Sequence, residues 1–459
     1  MAHIAIVTSG LAGLFNACLA LMQQLQQVGH QITYASSSLN SDELRRSLRG
    51  SGVAYVQLKP WTMPSETESG SRWKKLKRLR VRQQKAIDEL EMDHFAQTIK
   101  SINPDLLLID IEMHPHIMTA VMHKVPTALL CPFISIWRRS QLPPIHTDIT
   151  PREGWRGQRW GIWWSWLRYS WGKWKTYQRD RLQKVGLDNR SVLRRYAKQI
   201  GYSWRDRFGL NQWLVPYPHQ NLPVFCLHSQ ALDFPHSPHP SMRYLGPMVR
   251  ETRKHSASKA QSELDTFLKQ RQGRALIYCG CSSFAPASQR FLQQLIAIAH
   301  HHPEWDFVIG LGNQHPYQQD KSTVSLPANV CLLAWAPQQQ LLQQADCAII
   351  NAGAHSITEC VYFGVPMLVY SLHYNDQDGN AARVAYHGLG VLSEQRQDDE
   401  TQIHHHITRL LTQASYQASV NQMRQQFRRE IDEKTAVRAV EALLKAPLQN
   451  EKAREVTVS

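Results

Sequence analysis

The sequence of 459 residues predicts an α/β fold: two Rossmann-like, doubly wound parallel-sheet domains. Three observations carry this. Short apolar runs alternate with helix-period segments from the first residues onward. The same alternation restarts at about residue 275. Between the halves lies a stretch rich in Pro, His and Ser that reads as a linker.

The elements follow in order. "HIAIVTSG" and then "LFNACLALMQQLQQVGHQITYASS" read as strand, turn, helix and strand. Leu14, Cys18, Leu21, Met22 and Leu25 recur at helical spacing, and Gly29 ends the helix before "QITYA". "PDLLLIDIEMHPHIMTAVMHKVPTALL" repeats the unit, with a strand over 105–110, a helix near 115–123 and a strand over 127–131. Two such units in one half argue a doubly wound domain. After the linker, "RALIYCGCSS", "WDFVIGLG", "NVCLLAW", "DCAIINAG" and "PMLVYS" are apolar strands separated by helical stretches. "SYQASVNQMRQQFRREIDEKTAVRAVEALLKAP" predicts a long helical segment, followed by a polar tail. The expected boundaries are an N-terminal domain over 1–235, a linker over 236–262, a C-terminal domain over 263–445 and the tail over 446–459.

Composition narrows the class. A hydrophobic fraction of 42% suits a globular chain with a real core. A net charge of +15 calls for an anionic partner, whether a membrane surface, nucleic acid or an anionic cosubstrate. Nucleic acid is disfavoured, because no helix-turn-helix, zinc-finger or RNP-type signature is present. The eight cysteines have no metal-ligand spacing, so reduced thiols and no bound metal are expected. No apolar run is long enough to span a bilayer, and "MAHIAIVTSG" enters a strand without a basic flank. A cytoplasmic protein is the expectation.

The densest polar chemistry lies in "NAGAHSITECVYFGVPMLVYSLHYNDQDGNAARV", residues 351–384. Ligands of open α/β sheets bind beyond the carboxyl ends of the strands. Gly353 allows close backbone approach, and a helix start carrying His355 and Ser356 suits a phosphate or diphosphate. Glu359, one turn further, can accept from ribose hydroxyls. Trp335 in "WAPQQQLL" offers a face for a base, and "DQDGN" pairs a carboxylate with an amide for vicinal sugar hydroxyls. Singly, each residue reads equally well as a capping or surface polar group; in this order they read as a donor site.

The stretch 329–391 resembles the donor signature of the family 1 nucleotide-sugar glycosyltransferases, which have the GT-B fold: W-x-P-Q, H-x-G-x-x-S/T-x-x-E, G-V-P and D-Q-x-x-N-A. Weaker resemblance covers nearly the whole chain, and "LDFP" before "YLGP" is loosely similar to the zeaxanthin glucosyltransferases. The resemblance implies an N-terminal acceptor domain and a C-terminal donor domain that transfer a sugar, with inversion, from a UDP-sugar or related nucleotide sugar to a hydroxyl of a lipophilic acceptor, without a metal. It places Trp335 on the uracil and Gln338 beside base and ribose. Gly353, His355, Ser356 and Ser283 then face the phosphates, Glu359 the ribose, and Asp376 and Gln377 the sugar. Asn351 stands where the family has His; its amide still donates but never becomes cationic.

The catalytic base departs from the family. Counting back from Gly29-His30, the family's His falls on Leu14, which takes no proton. The orienting Asp falls on Asp110, with Glu112, His114 and His116 nearby. An extended continuation puts 110, 112 and 114 on one face, with His114 as proton acceptor and Asp110 as its orienter. The alternatives are that Asp110 caps the following helix, or that no base exists and the chain is a binding or partner subunit.

The segment 152–179, "REGWRGQRWGIWWSWLRYSWGKWKTYQR", holds seven of the 14 tryptophans among Arg and Lys. Trp163, Trp164 and Trp166 read as contacts to an anionic membrane surface or to a lipophilic acceptor, or as internal packing. "SRWKKLKRLRVRQQK" is a second basic amphipathic candidate.

Overall fold

A computed structural model describes residues 1–10, 12–37, 48, 50–63, 71–203, 212–213, 219, 222–250, 259–271, 273–280, 288–312 and 326–445. Two parallel sheets organise it. The first contains β1 (His3–Thr8), β2 (Gln31–Ser36), β3 (Ala54–Gln57), β4 (Leu106–Asp110), β5 (Thr127–Cys131), β6 (Val224–Cys226) and β7 (Met242–Tyr244), in the order β3-β2-β1-β4-β5-β6-β7. The second contains β8 (Ala275–Gly280), β9 (Trp305–Gly310), β10 (Val330–Leu333), β11 (Cys347–Ile350), β12 (Met367–Tyr370) and β13 (Gly390–Ser393), in the order β10-β9-β8-β11-β12-β13. Each order reverses direction once, between β1 and β4 and between β8 and β11, and crevices form at such switch points. The central strands β4, β5, β9, β11 and β12 are buried along their whole length, which is why they read as unbroken apolar runs.

The helices of the first half are α1 (Ala12–Gln27), α2 (Arg72–Lys77), α3 (Leu79–Asp88), α4 (Met92–Ile102), α5 (His114–Met122), α6 (Arg159–Gln183) and α7 (Asn189–Gln199). Those of the second are α8 (Lys259–Lys269), α9 (Gln289–His301), α10 (Gln338–Leu342), α11 (Ala354–Phe363), α12 (Gln377–Tyr386), α13 (Glu400–Thr412), α14 (Ala414–Asp432) and α15 (Thr435–Lys445). Leu14, Cys18, Leu21, Met22 and Leu25 of α1 enter the first core, and Gly29 ends the chain's turn there at φ 90. None of the described helices is long and apolar enough to cross a membrane. The described cysteines are free thiols.

Three boundaries differ from those expected. β7 extends the first sheet through Tyr244, so that sheet continues into the stretch read as linker. The long C-terminal helix breaks at Lys434, which adopts φ 52, into α14 and α15. α15 returns to the first domain: Ala436, Val437 and Val440 join the core of α1, β1 and β2. Its apolar stripe packs against α1. The tail over 446–459 lies outside the described residues.

A candidate nucleotide-sugar site

The site grows from the ends of β10, β11 and β12. Past β10, Trp335 stands in the loop before α10 with 44% of its surface exposed, so a flat indole face is open to a ligand. Gln338 opens α10. Its Nε2 donates to Glu359 Oε2, and its Oε1 accepts from the Tyr278 hydroxyl at 3.2 Å. Glu359 on α11 also accepts from Gln339 Nε2 at 2.7 Å. The carboxylate is thus fixed by two amides, which leaves lone pairs for further donors.

Past β11, the chain turns through Asn351, Ala352 and Gly353 into α11. The left-handed residue is Ala352, at φ 52, while Gly353 is extended at φ −68. What Gly353 supplies instead is room: a Cβ there would meet only Ser356 Oγ, at 3.9 Å, so the helix start stays open. Ser356 lies beside Gln338, with Nε2 and Oγ 3.4 Å apart. His355 is deeply enclosed, its ring 4.6 Å from that of His228 and its Cδ2 3.8 Å from where a Cβ of Gly13 would stand. Burial, and secondarily His228, hold its pKa well below the usual imidazole value, so it is neutral. Its Nε2 has no hydrogen-bond partner among the described residues, so it can meet a ligand oxygen.

Past β12, Asp376 caps α12. Its Oδ2 accepts from Asn380 Nδ2 at 2.8 Å, and the same amide donates to Ala352 O at 3.0 Å, tying the starts of α11 and α12 together. Burial raises the Asp376 pKa. Gln377 Oε1 accepts from Leu372 N at 2.9 Å. The structure therefore gathers Trp335, Gln338, Asn351, Gly353, His355, Ser356, Glu359, Asp376 and Gln377 around consecutive strand ends. Ser283 lies outside the described residues.

The first domain faces this surface. Leu14 is buried in its own core, at 6% exposure. The expected extended run 110–112–114 does not form. Asp110 Oδ1 accepts from Glu112 N at 3.1 Å and its Oδ2 from Ser9 Oγ at 3.1 Å, so the chain turns at once into α5. His114, the first residue of α5, is buried, with Nδ1 3.2 Å from His219 Nε2, while His219 Nδ1 lies 2.8 Å from the Tyr202 hydroxyl. This separates His114 from Asp110 and corrects the pairing expected of them. His116 is likewise buried, against Trp61 and Phe95.

Glu112 is what the turn presents. It is solvent-exposed, and the charge of Asp376 reaches it from the second domain. Burial, then the charges of Asp110 and of Asp376 from the opposite domain, raise its pKa to about 7. The sequence held this residue only as a neighbour of Asp110.

Sequence reasoning also missed the ties between domains. Arg383 of α12 and Asp233 form a buried ion pair, with Nε and Nη2 at 2.8 and 2.6 Å from Oδ1. His228 Nε2 donates to Pro132 O, and its Nδ1 lies 3.0 Å from Thr358 Oγ1 on α11. Gly379 N donates to Ile145 O at 3.0 Å; a Cβ at Gly379 would stand 2.0 Å from that oxygen. The glycine in "DQDGN" was the available signal. Among the described residues, no cluster of three or more His, Cys, Asp or Glu side chains could hold a metal.

Of the tryptophans singled out, Trp163 and Trp164 are exposed on α6, whereas Trp166 is buried at 2% and donates to Leu142 O at 2.7 Å. Trp166 is an internal anchor, which corrects its assignment to a membrane or acceptor surface.

Comparison with known proteins agrees with this geometry. Residues 308–443 match the family described as erythromycin biosynthesis protein CIII-like, C-terminal domain. The chain is 26% identical over 168 residues to UDP-glucuronosyltransferase 3A1 of Xenopus laevis, a match spanning 35% of this chain and 30% of that protein. It is 21% identical to the NDP-glycosyltransferase YjiC of Bacillus subtilis (strain 168), across 85% of this chain and 84% of that one. The crystal structure of the glycotransferase of kitacinnamycin superposes with a TM-score of 0.68 at 17% identity, covering 96% of this chain and 99% of that one, which shows a shared fold. The match of the C-terminal half, the glycosyltransferase relatives and the two parallel sheets together give the chain the GT-B fold and its likeness to the family 1 glycosyltransferases.

Proposed function

We propose that the protein transfers a sugar from a UDP-sugar or related nucleotide sugar to a hydroxyl of a lipophilic acceptor, with inversion. The observation that carries this is the ordered surface from Trp335 through Glu359 and the α11 start to Asp376 and Gln377, opposite Glu112. The base would stack on Trp335, and the ribose hydroxyls would donate to Glu359. The diphosphate would meet Asn351, His355, Ser356 and the α11 amide end. These donors and the helix dipole stabilise charge on the departing diphosphate.

Glu112 takes the role of proton acceptor that Leu14 leaves vacant. As the acceptor oxygen forms its bond to the anomeric carbon, the bond to the diphosphate breaks and UDP departs with the electron pair. The hydroxyl proton passes to the Glu112 carboxylate. A carboxyl with a pKa of about 7 suits this, since the best base titrates near the working pH. The raised pKa fixes the sign: Glu112 is protonated and idle below that value and active above it.

The test is turnover of a panel of nucleotide sugars with hydrophobic alcohols by mass spectrometry. Wild-type rates are expected to climb with pH up to about 7 and then level. Glu112→Gln should cost roughly 10²–10⁴-fold in kcat and abolish that rise, with UDP affinity unchanged. A Glu112→Gln enzyme with a wild-type rate and profile would remove Glu112 from the chemistry. No turnover by the wild type, with UDP still bound, would favour the binding-subunit reading that the buried Leu14 suggests.

The exposed face of α6 supports a peripheral membrane role. Trp160, Trp164, Leu167, Trp171 and Trp174 recur at helical spacing and are all exposed, and Lys175 lies 5.4 Å from the Trp171 ring centre. Such a face sets indoles at headgroup depth with basic groups toward anionic lipid.

A further inference from the structure

A cavity of the first domain lies between the 146–156 loop and the helices α6 and α7. Its volume is about 1200 Å³, ample for a drug-sized ligand. Two kinds of side chain line it. Arg156, Arg168, Lys173, Lys184 and Arg190 outnumber Asp180 and Asp188, so the wall is net cationic. Trp155, Trp164, Tyr169 and Tyr177 supply apolar surface. Three of the cationic groups are held in place. Lys173 is buried at 8% exposure and donates to Gln212 O at 2.7 Å, Arg190 stacks 4.6 Å from the Tyr177 ring centre, and Arg156 pairs with Asp148.

The cavity adjoins the sugar end of the nucleotide site. His146, on its wall, packs against Tyr169 at 4.6 Å and feels the charge of Asp378 in the first turn of α12. The preceding residue, Ile145, accepts the Gly379 amide. A ligand in the cavity would therefore lie beside the helix start that carries Asp376 and Gln377. Burial, and then Arg190, lower the Lys173 pKa to about 7, a cost that a bound anion would offset.

We propose that this cavity is the acceptor site, and that it takes an anionic amphiphile: an apolar chain or ring system carrying an oxyanionic group such as phosphate. The word acceptor rests on the glycosyltransferase reading, whereas the ligand class rests on the cavity alone. The aromatic wall receives the apolar part, and the Arg and Lys groups neutralise the anion. The exposed tryptophans of α6 flank the entrance through Trp164, which both faces solvent and lines the cavity.

Calorimetry with soluble probes, below their micelle-forming concentrations, tests this. Dodecyl phosphate is expected to bind at least roughly tenfold more tightly than dodecyl maltoside and than inorganic phosphate. Two variants should each weaken dodecyl phosphate by about tenfold or more. Arg168→Glu reverses a wall charge. Gly172→Leu fills the cavity from a helical position where a Cβ meets nothing within 4 Å and where leucine favours the helix. Equal binding of the maltoside, equal binding of inorganic phosphate, or unchanged binding in both variants would overturn the proposal. UDP titrated into the same samples reads the donor site separately. Failure to bind UDP would sink the glycosyltransferase reading and the acceptor role, while dodecyl phosphate binding would still establish the ligand class.

Discussion

At the residue scale, Glu359 shows how a binding carboxylate is prepared. Gln338 and Gln339 hold it from α10, so it is oriented before any ligand arrives. A carboxylate offers about four lone-pair sites, so two ribose hydroxyls can still be received. Glu359→Ala is therefore expected to lower UDP affinity about tenfold, roughly 1.4 kcal/mol, by calorimetry. Unchanged affinity would take Glu359 out of the site. The residues proposed for the donor site were legible as strand-end positions because each sits just after an apolar strand, so sequence order alone places them there. Glu112, the proton acceptor proposed above, was not legible. Its raised pKa comes from burial first, then from Asp110 and from Asp376, some 260 positions away in the chain, and no local pattern reports that approach.

At the element scale, the turn from β4 into α5 was misread, and the reason is local. Asp110 closes an Asx-type turn on Glu112 N, and Pro115 in the first turn of α5 favours a helix start. The signal was the "HPH" triplet, which an extended reading overlooks. α6 separates two roles that composition merged. Trp166 lies inward with Ile149 and Ile162, while Trp163 and Trp164 face out. Replacing Trp166 by Ala should cost about 3–5 kcal/mol of stability. Replacing Trp163 and Trp164 by Ser should shift stability by no more than about 0.5 kcal/mol each. Only the double Ser variant is expected to lose sedimentation with anionic vesicles at low salt; retained sedimentation would leave the stripe without a membrane role.

At the scale of the whole molecule, the two-sheet architecture was legible from alternation of strand and helix, but the way the halves are joined was not. Pairing across domains involves residues distant in sequence, as with α15 on α1 or Asp233 on Arg383. The latter pair has the largest consequence for the site. Arg383 belongs to α12, whose first turn carries Asp376 and Gln377, and it also donates to Gly379 O at 2.9 Å and covers the Phe234 ring at 4.5 Å. Asp233 is held further by the Tyr244 hydroxyl at 3.2 Å. Both partners are nearly inaccessible, so removing one strands a buried charge, at a cost of about 3–5 kcal/mol. Arg383→Met is expected to lose stability of that order in chemical unfolding, and Asp233→Asn with Arg383→Met to recover part of it, because the second change removes the stranded carboxylate. Loosening α12 should reach the Asp376–Gln377 turn, proposed to read the sugar, but not Trp335 or Glu359, which belong to α10 and α11 and their loops. Affinity for the intact nucleotide sugar should therefore fall more in Arg383→Met than affinity for UDP. Equal losses for the two ligands would show that the ion pair sets the domain arrangement as a whole, rather than the position of α12.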